Sequence, residues 1–141
     1  LIAKLEKHPE VFDPAVNPYA VRVVITGSRP DPSAFGEFPH FISFDGFIDV
    51  EYTPEQLERV ALISEPFCRY AKWKGGPEPL PAQEKQVIEQ LIAKSHKAGK
   101  PIRFWCSPDN AVAWETFRKL GIDIINTDQP EACTLYFQQN P

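Results

Sequence analysis

The sequence predicts an α/β fold built on parallel strands, and three observations carry that prediction. Residues 101–128 read as one strand–helix–strand unit. It has a β-type run at 102–106, a polar Ser107-Pro108-Asp109-Asn110 turn, an amphipathic run from Ala111 to Leu120, a Gly121 stop and a second β-type run at 122–125. Residues 21–26 are β-branched and nearly all apolar, which suits a strand covered on both faces, as parallel strands usually are. The 15 prolines fall between the periodic runs, as at Pro30, Pro32, Pro39, Pro77, Pro79 and Pro81, and so mark loops rather than disorder.

Along the chain, residues 1–8 place Leu1, Ile2 and Leu5 at helical spacing opposite Lys4, Glu6 and Lys7, and Pro9 stops them. They read as the tail of a helix, and residues 10–20 as a connector. The strand at 21–26 runs into Thr26-Gly27-Ser28-Arg29-Pro30, whose amides, hydroxyl and guanidinium suit a phosphate oxygen held from several sides. Taken alone, the same loop reads as a Gly-Ser turn with a solvated Arg29. After an irregular stretch at 30–39, a strand at 41–44 ends on Asp45-Gly46. A carboxylate there is desolvated on one side and needs a donor or a metal, although Asp45 reads equally well as a turn cap.

Asp49 and Glu51 read as solvated loop charges. Thr53-Pro54-Glu55-Gln56 opens a helix whose apolar face is Leu57, Val60, Ala61 and Ile63, with Glu65-Pro66 as its end. Residues 67–81 form an aromatic loop that offers Trp73 and Lys74 as one wall of a pocket. A clear helix follows, with Val87, Ile88, Leu91 and Ile92 inside and His96 in its last turn before Gly99. On the strand at 102–106, Arg103 and Trp105 share a face, while Phe104 and Cys106 face the helices. Arg103 needs a carboxylate, and Asp123 is the candidate. Asp109 or Asn110 caps the next helix, whose buried stripe is Trp114, Phe117 and Leu120. Asn126 and Asp128 stand at the end of the last strand, with Asp128 as cap of a final helix that carries Cys133, Leu135, Tyr136 and Phe137.

A chain of 141 residues is one domain by length, and a net charge of −4 offers no broad basic surface for nucleic acid. No apolar run is long enough to span a membrane, and the N-terminus lacks the zones of a signal peptide. The first residue is not Met, so the chain reads as a piece of something longer whose compartment is undecided. Cys68, Cys106 and Cys133 lack metal-type spacing, and Cys106 and Cys133 read as buried thiols. None of His8, His40 and His96 stands where a catalytic histidine is expected.

Two phrases carry a resemblance. Arg103-Phe104-Trp105 with Pro108-Asp109-Asn110, followed by Leu120-Gly121-Ile122-Asp123-Ile124-Ile125-Asn126-Thr127-Asp128, resembles the last two strands of the barrel in phosphatidylinositol-phospholipase-C-like phosphodiesterases, the superfamily that includes glycerophosphodiester phosphodiesterases. That family ends its seventh strand on a Trp and forms its eighth from a Gly-Val-Asp-x-Ile-x-Thr-Asp phrase. A Ser-Gly-x-Arg-Pro phrase and an Asp-Gly phrase occupy positions similar to Gly27–Pro30 and Asp45-Gly46.

The resemblance implies a (β/α)8 TIM-barrel type of fold, with this chain, 1–141, supplying about four βα units as strands five to eight. It implies a metal-dependent phosphoric diester hydrolase acting on glycerophosphodiester- or phosphoinositide-like substrates, to which this part contributes Arg29, Asp45, Trp105 and Asn126 as substrate-binding residues. The divalent metal, Ca or Mg, and the acid–base residues belong to the His-Asn or His-Arg-Gly, Glu-x-Asp and later His motifs of the first four strands. None of those motifs is in this sequence, so the chain alone is expected to be inactive. Its open sheet edges are expected to be covered by the missing N-terminal half or by self-association. The alternative is a non-catalytic α/β module that binds a phosphorylated small molecule at Gly27-Ser28-Arg29.

Overall fold

The stretch from Thr53 to Pro66 decides how many strands the chain has. In the computed structural model, which describes residues 1–141, Thr53 closes a capping box over α3 (Pro54–Arg59). Its hydroxyl accepts from the Gln56 amide at 3.3 Å, and the Gln56 side chain accepts from the Thr53 amide at 2.9 Å. The helix stops there instead of running on to Glu65, and β3 (Val60–Pro66) follows directly. The physical reason is the uninterrupted Val60-Ala61-Leu62-Ile63 run, which leaves no polar position for a helix to turn towards water but suits a strand covered on both faces.

The expected four strands therefore become five: β1 (Val23–Ile25), β2 (Ile42–Gly46), β3, β4 (Ile102–Trp105) and β5 (Ile124–Ile125). Their order in the sheet follows the chain, and every registered pairing is parallel. The mixed α/β architecture with parallel strands is thus as the sequence indicates. No helix is long and apolar enough to cross a membrane.

The residues fall into two units, the first comprising Leu1–Gly46 and Val50–Ala61. It opens with two single-turn helices, α1 (Ile2–Leu5) and α2 (Pro9–Phe12), so the helical tail read at residues 1–8 is shorter than expected. β1 pairs with β2 in the register Val23↔Ile42, Val24↔Ser43, Ile25↔Phe44. Between them the irregular stretch contains a 3-10 helix, Pro32–Glu37, started by Asp31, whose carboxylate accepts from the Ser33 amide at 2.9 Å and its hydroxyl at 2.6 Å. That helix delivers Phe35 onto Phe44, with ring centroids 4.0 Å apart and planes 6° from parallel. Phe38 meets Phe44 edge-on at 5.3 Å. Arg59 closes this cluster: its guanidinium lies 5.9 Å from the Phe44 ring centre and donates to the carbonyls of Pro39 at 2.8 Å, Ile42 at 2.9 Å and Phe38 at 3.2 Å.

The second unit comprises Phe47–Asp49 and Leu62–Pro141. β3 pairs with β4 in the register Ile63↔Ile102, Ser64↔Arg103, Glu65↔Phe104, Pro66↔Trp105, and β4 with β5 as Arg103↔Ile124, Phe104↔Ile125. After β3 comes the single turn α4 (Phe67–Tyr70), then α5 (Ala82–Lys97), α6 (Ala111–Leu120) and α7 (Pro130–Gln139). Ile88 and Ile92 of α5, Ala113, Trp114 and Phe117 of α6 and Cys133 of α7 are buried with Ile102 and Phe104 of the sheet. Phe67 links these layers, meeting Phe104 at 6.1 Å and Phe117 at 5.3 Å. Gly121 ends α6 in the left-handed region with φ 82°, which lets the amides of Gly121 and Ile122 reach back to the last helical carbonyls.

Cys68 and Cys106 form a disulfide with 5.6 Å between their Cα atoms, and Cys133 is the buried free thiol. Cys106 is therefore exposed and bridged, not a buried thiol as expected. Sequence spacing gives no sign of such a pairing, which depends on β3 and β4 lying side by side. By the chain-entropy argument, a bridge across 38 residues stabilises the fold by about 4 kcal/mol.

Replacing Arg59 by Ala leaves three strand-entry carbonyls without their donor. It should lower the unfolding free energy by about 3 kcal/mol, read as a lower urea midpoint at unchanged slope, with partial recovery in Arg59→Lys. A loss under about 0.5 kcal/mol would mean that water satisfies those carbonyls equally well.

Candidate functional site

In the first unit, β1 runs out through Thr26 into Gly27, whose φ of 72° lets the chain reverse so that the Arg29 amide donates to the Gly27 carbonyl at 2.9 Å. The parallel register Ile25↔Phe44 sets the carboxyl ends of β1 and β2 side by side. Arg29 Nη1 consequently lies 3.3 Å from Asp45 Oδ1, with the two side chains 10% and 8% exposed. Two of the predicted residues are therefore brought together as a nearly buried charge pair. In the loop read as a phosphate cradle, the Arg29 amide closes the turn and the guanidinium faces Asp45.

In the second unit, the strand that sequence reasoning read as a helix ends on the residue it overlooked. Glu65 is 1% exposed at the carboxyl end of β3. Its Oε1 accepts from the Ile48 amide at 2.7 Å and its Oε2 from the Tyr70 hydroxyl at 2.8 Å. Burial, together with the bond to Glu65, pushes the Tyr70 hydroxyl up to about 12. Tyr70 is thus a donor at any physiological pH and no base. The signal that could have found Glu65 is close to the one used for Asp45: an acid at the end of an apolar run, here with one residue, Ser64, between it and Val60-Ala61-Leu62-Ile63.

β4 carries its residues alternately. Ile102 and Phe104 are buried, Arg103 is half-buried, and Trp105 at the strand end is 44% exposed. Arg103 does not pair with Asp123. The register Arg103↔Ile124 puts Asp123 on the opposite face, where its carboxylate accepts from the Ile102 amide and His96 Nε2, both at 2.8 Å. Arg103 instead reaches Asn126, two positions beyond Ile124 on its own face, and donates to Asn126 Oδ1 from Nε at 3.0 Å and also from Nη2. Asn126 is therefore held beside the strand that carries Trp105.

The loops after β4 and β5 are tied by Asp109. Its carboxylate accepts from Trp114 Nε1 and the Asp128 amide, each at 2.8 Å, and its backbone carbonyl accepts from Gln129 Nε2 at 3.0 Å. Burial pushes the Asp109 carboxyl up, but the Asp128 amide, the Thr127 hydroxyl and Trp114 together hold it below its ordinary value. Asn110 is the residue that caps α6, through the Ala113 amide at 3.0 Å. Asp128 does not cap α7; its amide serves Asp109, while the Thr127 hydroxyl accepts from Gln129. Gly75 presses its backbone against this corner, where an added Cβ would lie 2.8 Å from Asn110 Nδ2 and 2.9 Å from Pro108 Cβ.

A cavity of about 150 Å³ lies beside the bridge, bordered by Phe67, Cys68, Trp73, Lys74, Cys106 and Ser107. Trp73 and Lys74 border this cavity, which has room for only a small group. No group of three or more His, Cys, Asp or Glu is arranged to hold a metal ion. The divalent metal that the resemblance implies takes its ligands from motifs outside this chain. Comparison with protein-family models, with curated proteins and with solved structures finds no match to the chain.

The folded carboxyl of Asp109 lies below its unfolded value of about 3.9, so its stabilisation is complete above that pH and is lost as the pH falls through the folded value. Asp109→Asn should cost about 2 kcal/mol at pH 7, and the gap to the wild type should close towards pH 3 in urea titrations. A gap of equal size at both pH values would assign the effect to packing.

Proposed function

We propose that the chain is the C-terminal portion of a metal-dependent phosphoric diester hydrolase that acts on glycerophosphodiester- or phosphoinositide-like substrates, supplying substrate-binding side chains. The observation that carries the proposal is the Arg103–Asn126 pair on the strand that ends at the exposed Trp105, two residues on from Arg103. A half-buried guanidinium is usually matched by a carboxylate; here its partner is a neutral amide, which fixes the fork without cancelling the charge. A fixed cation two residues from an exposed indole on one strand suits a substrate with an anionic phosphodiester next to a CH-rich glycerol or inositol. The indole stacks on the CH face, and the cation draws the phosphate.

The parallel strands support the same reading, because ligands of (β/α)8 barrels bind outside the carboxyl ends of the strands. In the second unit Glu65 stands at that end of β3, Trp105 at that of β4, and Asn126 follows β5; in the first, Asp45 stands at that of β2. Within the reading, Arg29 and Asp45 are a fixed polar pair of the first unit, able to meet an anionic group there. Asn126 orients Arg103. The divalent metal would supply Lewis-acid chemistry from ligands outside this chain.

The test is hydrolysis of glycerophosphodiesters and a generic aryl phosphodiester by the full-length protein with added Ca or Mg. Trp105→Ala should raise KM by about tenfold, the scale of one lost stacking contact, while the melting temperature moves by less than about 2 °C. Binding without turnover by the full-length protein would replace the hydrolase with a binding module. Equal losses of affinity and stability would remove Trp105 from the pocket.

A further inference from the structure

We propose that Cys68 and Cys106 form a reversible redox latch that holds the carboxyl ends of β3 and β4 together and opens by exchange with a dithiol. The bridge is placed to do this. Cys68 lies in α4, three residues after Glu65 and two before Tyr70, and Cys106 directly follows Trp105. One covalent bond thus clamps the turn that carries the Glu65–Tyr70 hydrogen bond to the residue that carries the exposed indole.

Three further features suit exchange rather than permanent stapling. Both cysteines are exposed residues, so the bridge lies at the surface rather than in the core. The cavity that both border admits an attacking sulfur, and Lys74 on its wall is a cation that favours thiolate over thiol. Cys106 has φ 54°, the one positive value in the chain outside glycine. A side chain held in the left-handed region relaxes once the constraint on it is released.

The exchange balances as follows. A thiolate of the dithiol attacks one sulfur of the bridge, the Cys68–Cys106 bond breaks, and the other cysteine leaves as a thiolate. The second thiol of the reagent then attacks the mixed disulfide, closes its own disulfide and frees the first cysteine. Two electrons pass to the protein, and the two cysteines take up the two protons that the dithiol gives up. The latch is independent of the reaction that the protein performs, since it rests on the position and accessibility of the bridge.

The experiment treats the folded protein with millimolar dithiothreitol, counts thiols by alkylation and mass, and follows amide hydrogen exchange before and after. The expected result is reduction within minutes under native conditions. It should be accompanied by at least ~10-fold faster exchange in peptides covering residues 66–71 and 104–108, no change over residues 84–96, and full reversal on reoxidation. The Cys68→Ser/Cys106→Ser variant should show the reduced pattern permanently. The proposal is overturned if the bridge yields only when the protein unfolds, if exchange is the same in both redox states, or if reduction speeds exchange throughout the chain.

Discussion

A carboxyl group with 1% exposure is the constraint around which the second unit is arranged. Burying Glu65 without partners would cost several kcal/mol, so each of its oxygens must meet a donor. The Ile48 amide and the Tyr70 hydroxyl provide them from opposite directions along the chain, one upstream of β3 and one downstream. The requirement fixes the path of the backbone on both sides of the strand. It brings residues 47–49 into the second unit even though the residues flanking them belong to the first. It also decides the state of Tyr70, whose proton is locked towards Glu65.

The two units solve the same problem by different means. The first packs its aromatic rings under one arginine, whose guanidinium satisfies carbonyls of the segment that enters β2. The second distributes its polar anchors along the sheet: Asp123 with His96 at the entry of the strands, Glu65 and Asn126 at the exit. Its apolar layer is continuous between them through Phe67, Phe104 and Phe117. The exit side of the second unit's strands is therefore polar, with each anchor hydrogen-bonded.

What sequence alone made legible follows from how local the causes are. The strand–helix–strand unit over residues 101–128 could be read because its Gly stop, Asn cap and apolar spacing all act within a few residues. β3 was misread because Leu57, Val60, Ala61 and Ile63 also satisfy a helical spacing, and only the neighbouring strands make the extended form better. Asp45 and Arg29 were legible as polar strand-end residues, but their mutual pairing was not, since it depends on the register of β1 against β2. The exchange of Asp123 for Asn126 as partner of Arg103 has the same origin: one step of alternation along β5 decides which face each side chain takes. The disulfide was wholly hidden, because 38 residues separate its ends.

Gly75 gives the architecture a remote dependence. The first turn of α6 relies on Asn110 turning its oxygen towards the Ala113 amide, and the space that lets it do so is the space that Gly75 leaves empty. A single methyl there would strike the capping amide itself, so the onset of a distant helix is gated by the lack of a side chain in the aromatic loop.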